Sequence, residues 1–352
     1  MSDMKNYIKI LLAAAAVSFA VSCAKEEPKI PDMSPKFPEI VRTSYTNPIS
    51  TQSLPDPTVI KGDDGLFYLY ATEDIKNMPI MVSKNLIDWV QAGIVFRDKT
   101  RPDDVIGASF WAPDITKQGD KYVLYYSIAP ADLSNQWQWG VGVMTADKPE
   151  GPWSNAGKLF LSGEIGVRCS IDPFFFEDGG KKYLVWGSYF GLWAIELSAD
   201  GLSVKDGAQK TRLVGTDGYG VEAPMIHFKD GYYYFFASEG GAGYDNDYKI
   251  GVVRSKNFMG PYVNKEGKSA IGNPLTMILK SNETFQSPGH CSAIITDDKG
   301  DDWLLYHSYV KEQSADGRRL MLDKITWGAD GWPVINEGKG PSLENKDVPF
   351  FK

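Results

Sequence analysis

Gly231-YYYFFA-Ser238 decides how this chain folds. Six aromatic and small apolar residues, Tyr232 to Ala237, run without a charged interruption between Asp230-Gly231 and Ser238-Glu239-Gly240. A short apolar, β-favouring run bounded by turn residues reads as a strand and not as a helix. The pattern recurs as Gly65-LFYLYA-Thr72, Gly119-DKYVLYY-Ser127, Gly180-KKYLVWG-Ser188 and Gly300-DDWLLYH-Ser308. Each copy opens on a turn glycine and closes on Ser or Thr. Upstream of each stands a short signature: Asp56-Pro57, Ala112-Pro113-Asp114, Asp172-Pro173, Glu222-Ala223-Pro224 and Gly289-His290. The copies return every roughly 50 to 70 residues, a period close to that of propeller blades. The chain is therefore predicted to be all-β, a five-bladed β-propeller of four-stranded blades with scarce helix. A radial repeat brings the same position of every blade to one centre, and three signatures place a carboxylate there.

The ends of the pattern set the domain organisation. Lys5 and Lys9 precede an apolar run over residues 10–21 that stops at Ser22-Cys23. That run is too short to span a membrane and suits a signal peptide, with Cys23 in the position of a lipid-bearing cysteine. Residues 1–23 are thus expected to be a lipoprotein signal, 24–45 a Pro-rich linker and lead-in, and 46–352 the catalytic propeller. The acidic pair Glu26-Glu27 after the cysteine resembles the export signal of bacterial surface lipoproteins, which implies an outer-membrane or cell-surface location. Net charge is −8 with no basic cluster, which argues against a nucleic-acid partner. Cys169 and Cys291 are too few for a zinc site or a disulfide framework and are expected to be small buried thiols. Residues 129–140, with Trp137 and Trp139, and 264–286 interrupt the rhythm as long loops that could shape a site.

Asp56, Asp172 and Glu222 are the catalytic candidates. Carboxylates gathered in a partly dry cavity cannot all ionise, so one stays an anion and another keeps its proton. A base and an acid of that kind are the minimum for hydrolysing a glycosidic bond. Each acid lies beside a proline, which is expected to hold the preceding residue extended and so aim its side chain. Phe110 and Trp111 precede a signature and are placed as faces for a furanose ring; Tyr189 follows an aromatic strand and is placed as lining the same pocket. Arg319 is taken as a donor to sugar hydroxyls, with Arg318 an equal contender. Asp114, His227 and His307 read as structural.

The set Asp56-Pro57, Phe110-Trp111-Ala112-Pro113-Asp114, Ser170-Ile171-Asp172-Pro173, Val221-Glu222-Ala223-Pro224, Pro288-Gly289-His290 and Trp332-Pro333 resembles glycoside hydrolase family 43, most of all its arabinan-degrading branch. The resemblance runs from about residue 54 to 335. It implies inverting hydrolysis of α-L-arabinofuranosyl linkages in arabinan or arabino-oligosaccharides of plant cell walls. By the same resemblance Asp56 would be the general base, Glu222 the general acid, and Asp172 the group that raises and orients Glu222. His290 would help hold a hydrated Ca²⁺ at the propeller centre, with water supplying most of the shell that calcium takes from oxygen. The same three acids would serve a β-xylosidase or a debranching arabinofuranosidase. A non-catalytic glycan-binding lipoprotein is the alternative from another class.

Overall fold

The computed structural model describes residues 41–97, 101–102 and 109–352; the expected signal, Cys23 and most of the linker lie outside the described residues. Every aromatic run of the repeat lies in the second strand of an antiparallel meander. In the first sheet Thr58–Lys61, Phe67–Tyr70, Pro79–Ser83 and Trp89–Ile94 pair in chain order. The second repeats that order with Ser109–Gln118, Lys121–Ala129, Gly140–Ala146 and Ser154–Leu161. The third has seven strands, from Phe174–Asp178 to Thr276–Leu279. Its long strand Thr211–Lys229 pairs first with Ser188–Glu196 and then, from Val221 on, with Tyr232–Glu239. Two repeats thus share one continuous strand. The last sheet is built on Phe285–Gly289, Asp302–Val310, Arg319–Trp327 and Pro333–Ile335.

Alternate residues of a strand face opposite ways, and here both faces are covered. Phe67 and Leu69 pack with Trp303, Leu305, Leu320 and Leu322 of the last sheet, while Tyr68 and Tyr70 pack with Tyr122, Leu124 and Tyr126 of the second. Val123 and Tyr125 turn the other way, onto Leu184 and Trp186 of the third. Leu304 and Tyr306 join Phe235 and Phe236 in the largest cluster. Burial on two faces explains why these strands are runs of aromatics and not alternating patterns. First and last sheets share a core, so the packing returns to its start. Tyr45–Thr46 pairs with Glu344–Asn345 at the same seam. The buried Asn47 amide bonds there to Leu322 and Ser342.

Helix is scarce among the described residues: the four-residue Ser162–Ile165 and two 3-10 turns. Residues 130–139 form the loop expected between two strands of the second sheet. The stretch 264–286 differs from expectation. It carries the strand Thr276–Leu279, which pairs with Lys249–Ser255 and completes its sheet. Cys169 and Cys291 are both free and buried.

Candidate active site

The five signatures converge through a shared backbone state. Asp56, Ala112, Asp172, Ala223 and His290 all have left-handed φ, between 39° and 57°. Outside glycine that region costs on the order of 1 kcal/mol per residue, and five equivalent positions hold it. The extended conformation expected before proline is therefore incorrect for Asp56 and Asp172. Proline disfavours the right-handed helical region for its neighbour, and the left-handed one turns each amide toward the preceding repeat, as the Asp56 amide to His307 and the Asp172 amide to Ser127. Register shifts fall at Trp111/Asp114, Glu222/Met225 and Gln286/Gly289, and such bulges re-aim side chains at the end of a strand.

The three acids meet in a cleft of about 370 Å³ lined also by Trp111, Trp139, Tyr189, His290, Arg318 and Asp74. Asp56 comes from the approach to the first sheet, Asp172 from the approach to the third, and Glu222 from the middle of Thr211–Lys229. All three are buried. Asp56 Oδ2 accepts from Thr72 Oγ1 at 2.6 Å and Oδ1 from Arg318 Nη1 at 2.9 Å. His290 Nδ1 and His307 Nδ1 lie 3.4 and 3.2 Å from the same Oδ1. Burial would raise the Asp56 carboxyl, but the Arg318 guanidinium, ahead of any charge on His290 and His307, outweighs it and holds the carboxyl well below the usual carboxylate range. Burial lowers both histidines, His307 to about 4, so at neutral pH Arg318 is the cation that acts on Asp56.

Glu222 is driven the other way. Burial raises its carboxyl against the 2.6 Å hydrogen bond donated by Ser188, and the negative Asp56 adds to the rise. Asp172 accepts from the Ala223 amide at 3.1 Å and is raised well above the usual range, by burial first and then by Glu222 and Asp56. Two buried carboxyls that oppose each other's ionisation hold at least one proton between them near neutral pH. The cleft thus combines a stable anion at Asp56 with a proton-bearing pair opposite.

Two of the expected substrate contacts are corrected. Phe110 is fully buried against Phe96 and Tyr126, so no face of its ring is open to a sugar. Trp111, its neighbour in the strand, points to the cleft and meets Trp139 edge-on at 5.6 Å. Arg319 turns away, bonded to Asp316 Oδ2 at 2.5 Å and to the Ser50 carbonyl, while Arg318 reaches the acids. Tyr189 is at the cleft, 38% exposed. His307, read as structural, is buried against Asp56. Thr72 and Ser188 were visible only as strand-closing hydroxyls, and Trp139 only as part of a loop.

His290 reaches the centre because Gly289 leaves room: a Cβ there would stand 1.8 Å from Tyr248 Cδ1. Among the described residues no three His, Cys, Asp or Glu side chains converge to cage a metal. A calcium ion held at His290 would therefore take most of its oxygen shell from water, and the chemistry below does not use the ion. Asp114 lies at the centre without facing the cleft. It bonds Thr58 and the Phe175 amide, tying the first, second and third sheets.

Known proteins share this arrangement of sequence and fold. The model of the glycosyl hydrolases family 43 matches residues 45–333. An arabinan endo-1,5-alpha-L-arabinosidase C of Emericella nidulans is 30% identical over 290 residues, covering 77% of this chain and 88% of the relative. A probable arabinan endo-1,5-alpha-L-arabinosidase C of Aspergillus flavus is 29% identical over 299 residues, covering 80% and 90%. The Cellvibrio cellulosa alpha-L-arabinanase solved with arabinohexaose superposes with a TM-score of 0.72 at 25% identity, covering 82% of this chain and 96% of that one. With a family model spanning most of its length and an acid-lined cleft to match, the chain belongs to glycosyl hydrolases family 43 and is an arabinanase-like glycoside hydrolase.

Proposed function

We propose that this protein is an inverting hydrolase of α-L-arabinofuranosyl linkages in arabinan or arabino-oligosaccharides, built as a five-bladed propeller. The observation that carries the reading is the opposed protonation of Asp56 and Glu222 in one cleft with Trp111 and Tyr189. Glu222 gives its proton to the glycosidic oxygen as the bond from the anomeric carbon breaks and its electron pair passes to that oxygen. Asp56 takes a proton from water, whose oxygen bonds to the anomeric carbon from the opposite face. Asp172 and Glu222, both raised by burial, share the proton that Glu222 delivers, and Asp172 also accepts the Ala223 amide and so holds that turn in place. Afterwards Asp56 releases its proton and Glu222 regains one from solvent. Trp111 and Tyr189 offer ring faces to a furanose, and Arg318 keeps Asp56 ionised.

Linear arabinan followed by NMR tests the mechanism: initial release of the inverted anomer is expected, and the retained anomer would refute it. Glu222→Gln and Asp56→Asn should each lower turnover at least ~100-fold, the scale of a lost general acid or base. Near wild-type turnover in either variant would refute the role assigned to it. We extend the reading to a lipid anchor on Cys23 at the bacterial surface, supported by the apolar run 10–21 ahead of it. A Cys23→Ala protein should leave the membrane fraction for the medium; retention would refute the anchor.

A further inference from the structure

The five centre residues share a second property besides their φ. Each amide N–H donates to a side chain of the repeat before it. Ala112 N donates to Thr72 Oγ1 at 2.7 Å, Asp172 N to Ser127 Oγ at 2.9 Å and His290 N to Ser238 Oγ at 2.9 Å. Ala223 N donates to Asp172 Oδ2 at 3.1 Å. Where the last sheet meets the first, the strand-closing Ser308 turns its hydroxyl to its own repeat and donates to the Gln286 carbonyl at 2.9 Å. The Asp56 amide instead meets His307 Nδ1, at 3.0 Å. An imidazole reaches further from its strand than a hydroxyl and closes this last joint.

His307 Nδ1 has one site to offer, a lone pair or a proton, and two groups of Asp56 face it. The amide can only donate. The carboxylate already accepts from Thr72 and Arg318, whereas the amide has no other acceptor among the described residues. The choice falls on the lone pair, which puts the ring proton on Nε2. Nε2 is buried and finds no partner among the described residues, and the Tyr248 ring lies stacked on the imidazole at 5.7 Å and 12°. We propose that His307 is a positioning residue for the general base: as a neutral imidazole protonated on Nε2, it accepts the Asp56 amide and fixes the carboxylate against its water. It touches no substrate and acts through Asp56. The proposal rests on Asp56 being the base, which Asp56→Asn tests separately.

The joint itself is read without substrate. In full-length protein labelled with ¹⁵N-histidine, long-range proton–nitrogen spectra report which ring nitrogen carries the proton, and His307→Asn identifies the signal. A proton on Nε2 and none on Nδ1 is expected; a proton on Nδ1 at neutral pH overturns the proposal. Kinetics supply the second reading. His307→Leu fills the space without an acceptor and should lower kcat ~100-fold with KM nearly unchanged, the scale of a reacting group displaced by about 1 Å. His307→Asn puts an amide oxygen close to the Nδ1 position and should recover at least ~10-fold of that loss. A folded His307→Leu protein with near wild-type kcat, or an Asn variant no better than Leu, overturns the positioning role. If the Leu variant does not fold, the tautomer still decides.

Discussion

Asp56 and Glu222 share one cleft, and a single guanidinium does most to separate their protonation. Activity in the proposed mechanism needs Asp56 ionised and Glu222 protonated, so kcat/KM should rise as Asp56 loses its proton and fall as Glu222 does. Arg318→Met removes the cation that overcomes burial at Asp56. Its carboxyl then rises, and the acid limb of the kcat/KM–pH profile is expected to move to higher pH with turnover down at least ~10-fold. An acid limb that stays in place would show that Arg318 does not set it. Asp114 makes a stability prediction of the opposite kind. Burial lifts its carboxyl from 3.8 to about 7 against its bonds from Phe175 and Thr58. The folded protein therefore keeps a proton that the unfolded chain releases. The contribution is whole below the unfolded pKa and is lost as pH rises toward 7, on the order of 4 kcal/mol in all. Asp114→Asn does not titrate, so it should gain stability over the wild type between about pH 5 and pH 8 in urea unfolding; a constant difference would refute this. The acids were legible from their repeat positions, but parity was not. Phe110 and Arg319 each stand one residue from the side chain that reaches the cleft. Strand neighbours face opposite ways, so only the register, which depends on bulges, distinguishes Phe110 from Trp111 or Arg319 from Arg318.

At the scale of the element, the closing hydroxyls of four of the five aromatic strands, Thr72, Ser127, Ser188 and Ser238, each tie one repeat to the next. Ser238 accepts the His290 amide and meets the Tyr248 hydroxyl, away from the base, whereas Thr72 accepts the Ala112 amide and also donates to Asp56. Ser238→Ala should therefore destabilise by ~1–3 kcal/mol, the effect of leaving a buried donor unpaired. Thr72→Val should lose a similar amount and lower kcat at least ~10-fold besides, because the base loses a donor. Denaturant midpoints measured beside kcat would separate the two; equal activity losses would show that the hydroxyls do not divide this way. The strands and their closing Ser or Thr were plain in the sequence because aromatic runs between turn residues have few other readings. The left-handed centre was not. It arises from amides reaching across repeats, a long-range demand that overrode the local bias of Asp-Pro toward extended backbone. Thr276–Leu279 was hidden for a related reason, since its pairing with Lys249–Ser255 crosses a long polar excursion.

Over the whole molecule, closure and catalysis meet at one seam. Asp56 belongs to the first repeat, and two of the groups that hold it, Arg318 and His307, belong to the last. The same seam is held by the paired ends Tyr45–Thr46 and Glu344–Asn345, by Asn47 on Leu322 and Ser342, and by a core shared between the first and last sheets. The succession of aromatic strands was readable from five copies of one motif; the latch was not, because two-residue strands carry no pattern of their own. Ser342 also donates to the buried Asp323, so a chain ending at residue 340 loses the pairing strand, the Asn47 partner and a ligand of Asp323 together. Such a truncation should lower the melting temperature and remove most turnover even below it, since an opened seam separates Asp56 from Arg318 and His307. Asn47→Ala weakens the same latch without shortening the chain and should shift both properties in the same direction by less, with three hydrogen bonds of ~1 kcal/mol each at stake. Activity and tryptophan fluorescence followed through thermal unfolding check the coupling. A truncated protein that stays folded and keeps wild-type kcat/KM would show that the seam serves stability alone.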